Sequence, residues 1–344
     1  MIAMWIRLLT PRYPVPASTD DDVRTIALAS HLARRNHVEV LSLVGSDGRS
    51  VDERLADSAR DRGRAFDLTV VTSPAIATLV RSSGPIVLDG ADVVGATSRP
   101  RRSVDKVLDL VDYAAERQTI WARVDGCVFT SAEAYEASPA PALGIPSAVV
   151  PNGLDLALYP RSPAVAGGVS IVGADTADRE STRVLDAICA TVMRELPEAR
   201  ITVVGARARS RTEGITFTGT VAESAIWTRD AAVVLALAHA RPAEILEAMA
   251  FGRPVILAHT ETSAIDLLGT PGTIVAQDAQ SIAVKLLELL RNPAHARCIG
   301  DEGRALVERR YDWDRLALEF ELFLRAVRGA RQTYRFALGR ERVG

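Results

Sequence analysis

The sequence predicts an α/β protein of two domains, each a parallel sheet with helices on both faces. Three observations predict it. With 344 residues the chain is long enough for two domains of ordinary size, each able to bury its own core. Short apolar runs alternate with longer segments of helical periodicity, the βαβ rhythm of a parallel sheet. That rhythm pauses at residues 160–168, where proline, serine and glycine mark a linker, and then begins again.

The first series has apolar runs at residues 5–9, 38–44, 68–71, 86–88, 126–130 and 148–150. Between the first two, residues 23–34 place Val23, Ile26, Ala27, Ser30, Leu32 and Ala33 at helical spacing. Thr19 or Asp20 is the expected N-cap of that helix, with Asp20, Asp21 and Asp22 in a first turn whose dipole favours acids. The second series expects strands at 169–172, 201–204, 215–218, 232–236, 254–258 and 272–275. Its helices fall at 182–196, 222–230, 242–251, 279–291, 293–310 and 316–328. The result is two Rossmann-like domains, with ligands expected at the carboxyl ends of the strands. Residues 1–150 form the first domain, 151–312 the second, and 313–344 a last helix with a basic tail.

Composition limits the function. An apolar fraction of 48%, a charged fraction of 24% and a net charge of −2 describe an ordinary soluble protein and give no reason to expect a nucleic-acid partner. Cys127, Cys189 and Cys298 lie far apart without Cys-x-x-Cys spacing, so neither a disulfide framework nor a metal site is expected, and a reducing cytoplasm fits. The opening apolar run is short and interrupted by Arg7, which suits a buried strand better than a signal peptide or membrane span. From Arg325 onward the chain gathers Arg328, Arg331, Arg335, Arg340 and Arg342 against Glu341. Such an end can hold a protein peripherally at the inner face of an anionic membrane, or be a solvated extension.

The chemistry concentrates in the second half. Pro242 opens a helix whose first-turn amides are free to meet an anion such as a diphosphate, and Glu247 lies one turn in, where a carboxylate can accept from two vicinal hydroxyls. Acids placed near a helix N-terminus by its dipole are the alternative reading of Glu244 and Glu247. Gly173 ends a strand in a turn whose amides can approach a phosphate, with Arg179 and Arg183 close behind it in sequence. Two further glycine turns, at Gly205 and at Gly219-Thr220, follow later strands.

Val149-Val150-Pro151-Asn152-Gly153-Leu154-Asp155, followed by Leu246-Glu247-Ala248-Met249-Ala250-Phe251-Gly252-Arg253-Pro254-Val255, resembles the retaining GT-B glycosyltransferases of family four, glycosyl transferases group 1. The resemblance implies two facing Rossmann-like domains with a cleft between them. It implies that Glu247 binds the ribose of a nucleotide diphosphate sugar, that Gly205, Gly219 and Thr220 belong to loops holding the base, and that Gly173, Arg179 and Glu244 lie by the diphosphate. Where the family carries a glutamate contacting the transferred sugar, eight residues before the ribose ligand, this sequence has His239, with Arg241 or Glu244 to supply sugar contacts. The family's arginine after the glycine turn is Ala174 here, and Arg179 stands at its lysine. Ile86-Val87-Leu88-Asp89-Gly90-Ala91-Asp92 resembles the strand ending Asp-x-His-Asp; Ala91 replaces the histidine, and Asp89 or Asp92 could orient an acceptor hydroxyl or the sugar.

The expectation is transfer of a sugar from a nucleotide diphosphate sugar, a substrate rather than a cofactor, to a hydroxyl of a small molecule, lipid or polysaccharide precursor with retention. His239, Asp92 and Arg241 are the catalytic candidates. The alternative is a degenerate GT-B protein that binds a nucleotide or a partner glycosyltransferase without transfer. Neither reading calls for a metal.

Overall fold

The computed structural model describes residues 2–15, 19–44, 66–80, 84–90, 120–206, 214–219, 221, 224–258 and 267–341. The chain divides into two compact units, Met1–Asn152 together with Trp313–Gly344, and Gly153–Asp312.

In the first unit six strands lie in the order β2-β1-β3-β4-β5-β6, all parallel. They are β1 (Trp5–Arg12), β2 (His37–Val44), β3 (Leu68–Val71), β4 (Ile86–Asp89), β5 (Gly126–Phe129) and β6 (Ser147–Val149). β3, β4 and β5 are buried along their whole length, which is why they read as unbroken apolar runs. Met4, Ile6 and Leu8 point to one face, beneath α1 (Asp20–Ala33) and α10 (Trp313–Glu341), whose Trp313, Leu316, Phe320 and Leu324 fill the same core. Leu9 and Phe129 point to the other, covered by Ile120, Trp121 and α2 (Pro74–Leu79). Short α3 (Ala132–Ala137) and α4 (Ala140–Leu143) connect β5 to β6.

Helix α1 starts where the sequence suggests. Thr19 is its N-cap, and the Asp22 carboxylate accepts the Thr19 N–H at 2.9 Å while the Asp22 N–H donates back to Thr19 Oγ1 at 3.2 Å. Its buried stripe differs from the apolar one: Val23 is 49% exposed, whereas Arg24 is 3% exposed and lies inward with Thr25, Leu28 and Leu32. The stripe turns because Arg24 has partners inside. Its Nη2 and Nε donate to the Asp89 carboxylate at 2.7 and 2.9 Å, and Nη1 reaches the Val150 and Pro151 carbonyls and Asn152 Oδ1 at 2.9, 3.2 and 3.1 Å.

The second unit holds six parallel strands in the order β12-β11-β10-β7-β8-β9. They are β7 (Gly168–Val172), β8 (Arg200–Val203), β9 (Ile215–Phe217), β10 (Val233–Ala236), β11 (Val255–Ala258) and β12 (Thr273–Ala276). One face packs on α5 (Arg179–Glu195) and α8 (Ala279–Arg291), the other on α7 (Pro242–Ala250) and α9 (Pro293–Arg310). A short α6 (Ala225–Thr228) precedes β10. Helix α5 begins three residues before the expected Thr182, because Asp178 accepts the Ser181 N–H at 2.7 Å and caps it there.

Residues 160–168 lie within this unit. Buried Arg253 ties them down, donating to the Ser162 carbonyl at 2.6 Å and its hydroxyl at 2.7 Å, and to the Arg229 carbonyl at 2.9 Å. The unit boundary follows Asn152, two residues beyond the expected end of the first domain at residue 150. Just beyond it the Leu154 N–H donates to the Tyr311 carbonyl at 2.7 Å, so the segments entering and leaving the unit run side by side.

α10 continues to Glu341, past Gly329, where the sequence places a helix end. Two arginines of the basic tail are already engaged: Arg325 with Glu321 at 2.7 Å, Asn36 at 3.1 Å and the Ile2 carbonyl at 3.0 Å, and Arg328 with Asp67 at 2.8 Å. Among the described residues no helix is long and apolar enough to cross a membrane.

Removing Arg24 strands Asp89 in a dry site. Arg24→Met should lower stability by about 3–5 kcal/mol, and Arg24→Met with Asp89→Leu should restore most of the loss, since two apolar groups leave no unpaired charge. Urea unfolding followed by tryptophan fluorescence measures both.

Candidate active site

The second sheet changes direction beside β7. From β7 the chain builds outward through β8 and β9, then returns to β10 on the other side, and ligands of open α/β sheets bind where such connections diverge. At this point β7 ends in Gly173, in a left-handed conformation with φ of 70°. A Cβ on Gly173 would lie 2.0 Å from the Ala240 nitrogen and 2.4 Å from its Cα, so only glycine fits. The Ala240 backbone fills the side-chain direction. The contact presses the β10–α7 loop onto the β7 turn, and the His239 N–H donates to the Gly173 carbonyl at 3.2 Å.

That loop delivers α7. Arg241 is its N-cap in extended conformation and Pro242 its first residue. The Glu244 carboxylate accepts the Arg241 N–H at 2.9 Å and lies 3.5 Å from the Arg241 guanidinium, so Glu244 serves as a helix cap here. Arg241 keeps its side chain 54% exposed. His239 is also exposed, its Nε2 3.8 Å from Asp175 Oδ2, a separation that matters only when the imidazole is charged.

Glu247, one turn into α7, is half-buried. Its Oε1 accepts the Tyr159 hydroxyl and its Oε2 the Ser224 hydroxyl, each at 3.1 Å. Burial pushes the Glu247 carboxyl above its ordinary range, and the Ser224 and Tyr159 hydrogen bonds pull the other way without cancelling it. Tyr159 is itself fixed: its ring meets Phe251 edge-on with centroids 5.3 Å apart, and Arg304 donates to its carbonyl and to that of Ala250 at the end of α7. Neither Tyr159 nor Ser224 is visible to sequence reasoning, since they stand 88 and 23 residues from Glu247 with no local pattern to join them.

The other two glycine turns converge. The Gly205 N–H donates to Thr218 Oγ1 at 3.0 Å, and the Gly219 N–H donates to the Ala206 carbonyl at 2.9 Å, which joins the carboxyl ends of β8 and β9. Arg179 is exposed at the first position of α5, and Arg183 beyond it pairs loosely with Glu180 at 3.5 Å. Thr220, Ala91 and Asp92 lie outside the described residues.

In the first unit the structure removes one candidate. Asp89, which with Asp92 is one of two residues that could orient an acceptor hydroxyl or the sugar, is 3% exposed and locked to Arg24. Of the three aspartates in the first turn of α1, Asp22 pairs with Arg12 at 2.9 Å. Among the described residues no three metal-ligating side chains gather.

Against known proteins, the decisive likeness falls on the segment just described. Residues 169–292 match the family of glycosyl transferases group 1. The matched segment runs from β7 to the end of α8 and contains Gly173, Arg179, Gly205, Gly219, His239, Arg241, Glu244 and Glu247. No curated protein matches by sequence. Solved structures agree in fold across both units. HepE of Anabaena in complex with UDP is similar with a TM-score of 0.65 at 15% identity, over 94% of this chain and 100% of that one. A sucrose-phosphate synthase from Thermosynechococcus elongatus gives 0.61 at 16% identity, over 94% and 99%. A glycosyltransferase from Rickettsia africae gives 0.63 at 11%, over 94% and 98%. The chain thus has the α/β architecture of the GT-B glycosyltransferases, as the resemblance implies.

The Gly173 contact gives a sharp test of the site's frame. Gly173→Ala should cost on the order of 2–4 kcal/mol, because left-handed strain and a backbone clash must both be relieved. Urea denaturation of the variant beside the parent protein measures it.

Proposed function

We propose that this protein transfers a glycosyl group from a nucleoside diphosphate sugar to a hydroxyl acceptor with retention of anomeric configuration. The observation that carries the reading is Glu247: a carboxylate one turn inside a helix that starts at the sheet's switch point, within the segment matching the glycosyltransferase family. Each Glu247 oxygen already accepts one hydroxyl and has a further lone pair, the capacity that the vicinal hydroxyls of a ribose require. The N-terminal turn of α7 offers a positive dipole end to a diphosphate, and Arg179 and Arg241 are exposed cations that can add bidentate contacts.

In this reading the donor's ribose rests on Glu247, its base near Gly205, Gly219 and Thr220, and its diphosphate near Gly173, Arg179 and the α7 N-terminus. His239 stands toward the transferred sugar, with Glu244 holding Arg241 in place at the cap. The acceptor oxygen bonds to the anomeric carbon as the bond to the diphosphate breaks, on the same face, the acceptor's hydroxyl proton passing to the departing phosphate oxygen, and Asp92 remains the candidate for orienting the acceptor. Charge stabilisation of the departing diphosphate supplies the rate enhancement. HepE of Anabaena was solved with UDP and with UDP-glucose, which makes UDP the first nucleotide to test.

We place the reaction in the cytoplasm. With Arg325 and Arg328 already paired in the first unit, peripheral attachment to an anionic membrane rests on Arg331, Arg335, Arg340 and Arg342. A second reading, binding without transfer, is favoured by His239, Ala174 and Ala91 at positions where the family has other residues, and by Asp89 being committed to Arg24.

Calorimetric titration with UDP, GDP, dTDP and ADP, with and without Mg²⁺, should find one nucleotide that binds. Glu247→Ala should weaken that binding by about 1–3 kcal/mol, the worth of a charge-assisted hydrogen bond; unchanged affinity removes Glu247 from the ribose. Incubation of the matching nucleotide sugar with an alcohol acceptor should yield a product whose anomeric proton coupling, read by NMR, has the donor's configuration. An inverted product overturns retention, and binding with no transfer to any acceptor favours the second reading.

A further inference from the structure

We propose that Tyr159 and Ser224 are positioning residues that orient the Glu247 carboxylate, and that through them the site prefers a ribonucleotide to its 2′-deoxy counterpart. The inference rests on the reading of Glu247 as the ribose ligand.

A carboxylate can accept from two vicinal hydroxyls only while both of its oxygens are acceptors, which requires the ionised form. Burial works against that form at Glu247. The two hydroxyl donors oppose burial, one on each oxygen, Tyr159 on Oε1 and Ser224 on Oε2, while the Arg241 charge acts with them and the Glu244 charge with burial. Donors on both oxygens fix the plane of the carboxylate as well as its charge. They come from separate places in the chain, Tyr159 following the short 3-10 turn Leu156–Leu158 and Ser224 preceding α6, so the carboxylate is clamped between two elements rather than by its own helix.

The clamp is rigid on the Tyr159 side. Arg304, 9% exposed, donates to the carbonyls of both Tyr159 and Ala250, tying the residue that donates to Glu247 to the helix that carries Glu247. Phe251, at the end of that helix, closes on the Tyr159 ring. Ser224 is 6% exposed. With one lone pair on each oxygen taken by protein, those that remain are arranged for a pair of hydroxyls. A 2′-deoxyribose fills one and leaves the other unmatched, which is the situation in which polar sites discriminate strongly.

The direction of the pH effect follows. Glu247 must be ionised to hold the diol, so binding is complete above its pKa and falls as pH drops through it. Removing a hydroxyl donor leaves burial less opposed and moves the acid limb of binding to higher pH. A residue that merely packs against Glu247 would not move that limb.

The test measures Kd for UDP and 2′-deoxy-UDP, and for the GDP and ADP pairs where these bind, from pH about 5 to about 8. It uses the parent protein, Tyr159→Phe, Ser224→Ala and Glu247→Gln, with thermal melting of each. Both nucleotides of a pair carry the same diphosphate, so the ratio of their Kd values cancels phosphate titration. The parent should favour the ribonucleotide by roughly tenfold or more, the worth of a hydrogen bond to a charged group. Tyr159→Phe and Ser224→Ala should each shrink that ratio severalfold and raise the pH at which it is lost, while Glu247→Gln brings it near one. If Glu247→Gln loses the ratio but both hydroxyl variants melt as the parent does and retain its ratio and acid limb, the positioning role is overturned and the ribose reading stands. If the parent shows no preference, or binds none of these nucleotides, the ribose reading fails and takes this inference with it.

Discussion

The first unit is organised around one buried cation. Arg24 lies on a helix, yet its guanidinium is spent entirely on groups from elsewhere: the Asp89 carboxylate at the end of β4, and the carbonyls and amide oxygen that follow β6. A guanidinium withdrawn from water tolerates such a place only when its donors are matched, and the fork of Arg24 matches a carboxylate on one side and carbonyls on the other. The consequence is positional. The carboxyl ends of β4 and β6 and the start of α1 are held to one point, and Pro151-Asn152, where the chain prepares to leave the unit, is part of it. An isosteric apolar side chain could fill the volume without fixing those ends, because packing has no preferred direction and the fork does.

The second unit solves the same problem with backbone rather than charge. Gly173 lets the β10–α7 loop lie directly on the β7 turn, which sets where α7 begins. Arg304 and Arg253 then fasten surrounding loops by donating to carbonyls, so buried arginine recurs in this chain as a means of fixing irregular backbone. Exposed arginines near the site, Arg179 and Arg241, are of the opposite kind, cations held outward by a helix start.

Much of this was legible because it is written locally. Strands buried on both faces appear as apolar runs, and α7 announces itself with Pro242 at its start and Gly252 beyond its end, so Glu247 could be placed on its helix from sequence alone. Thr19 and Asp22 spell a capping box. The misreadings share a cause, which is that their partners are remote. Arg24 looks like a surface residue until Asp89, 65 positions away, is known, and the predicted apolar stripe of α1 was accordingly rotated toward Val23. Residues 160–168 have the composition of a linker, but Arg253 anchors them at Ser162, 91 positions earlier in the chain.

The division of the chain has a bearing on its synthesis. α10 supplies Trp313, Leu316, Phe320 and Leu324 to a core whose other members lie within the first 150 residues, and Arg34 reaches Asp314 across 280 positions. Emerging from the ribosome, the first sheet must therefore wait with one face unfinished while the whole of Gly153–Asp312 is made. The second unit, continuous in sequence, can complete itself in that interval. Long-range closure of this kind is slow and leaves apolar surface open meanwhile, so the amino-terminal unit is the last to become native and the more exposed of the two to chaperones and proteases.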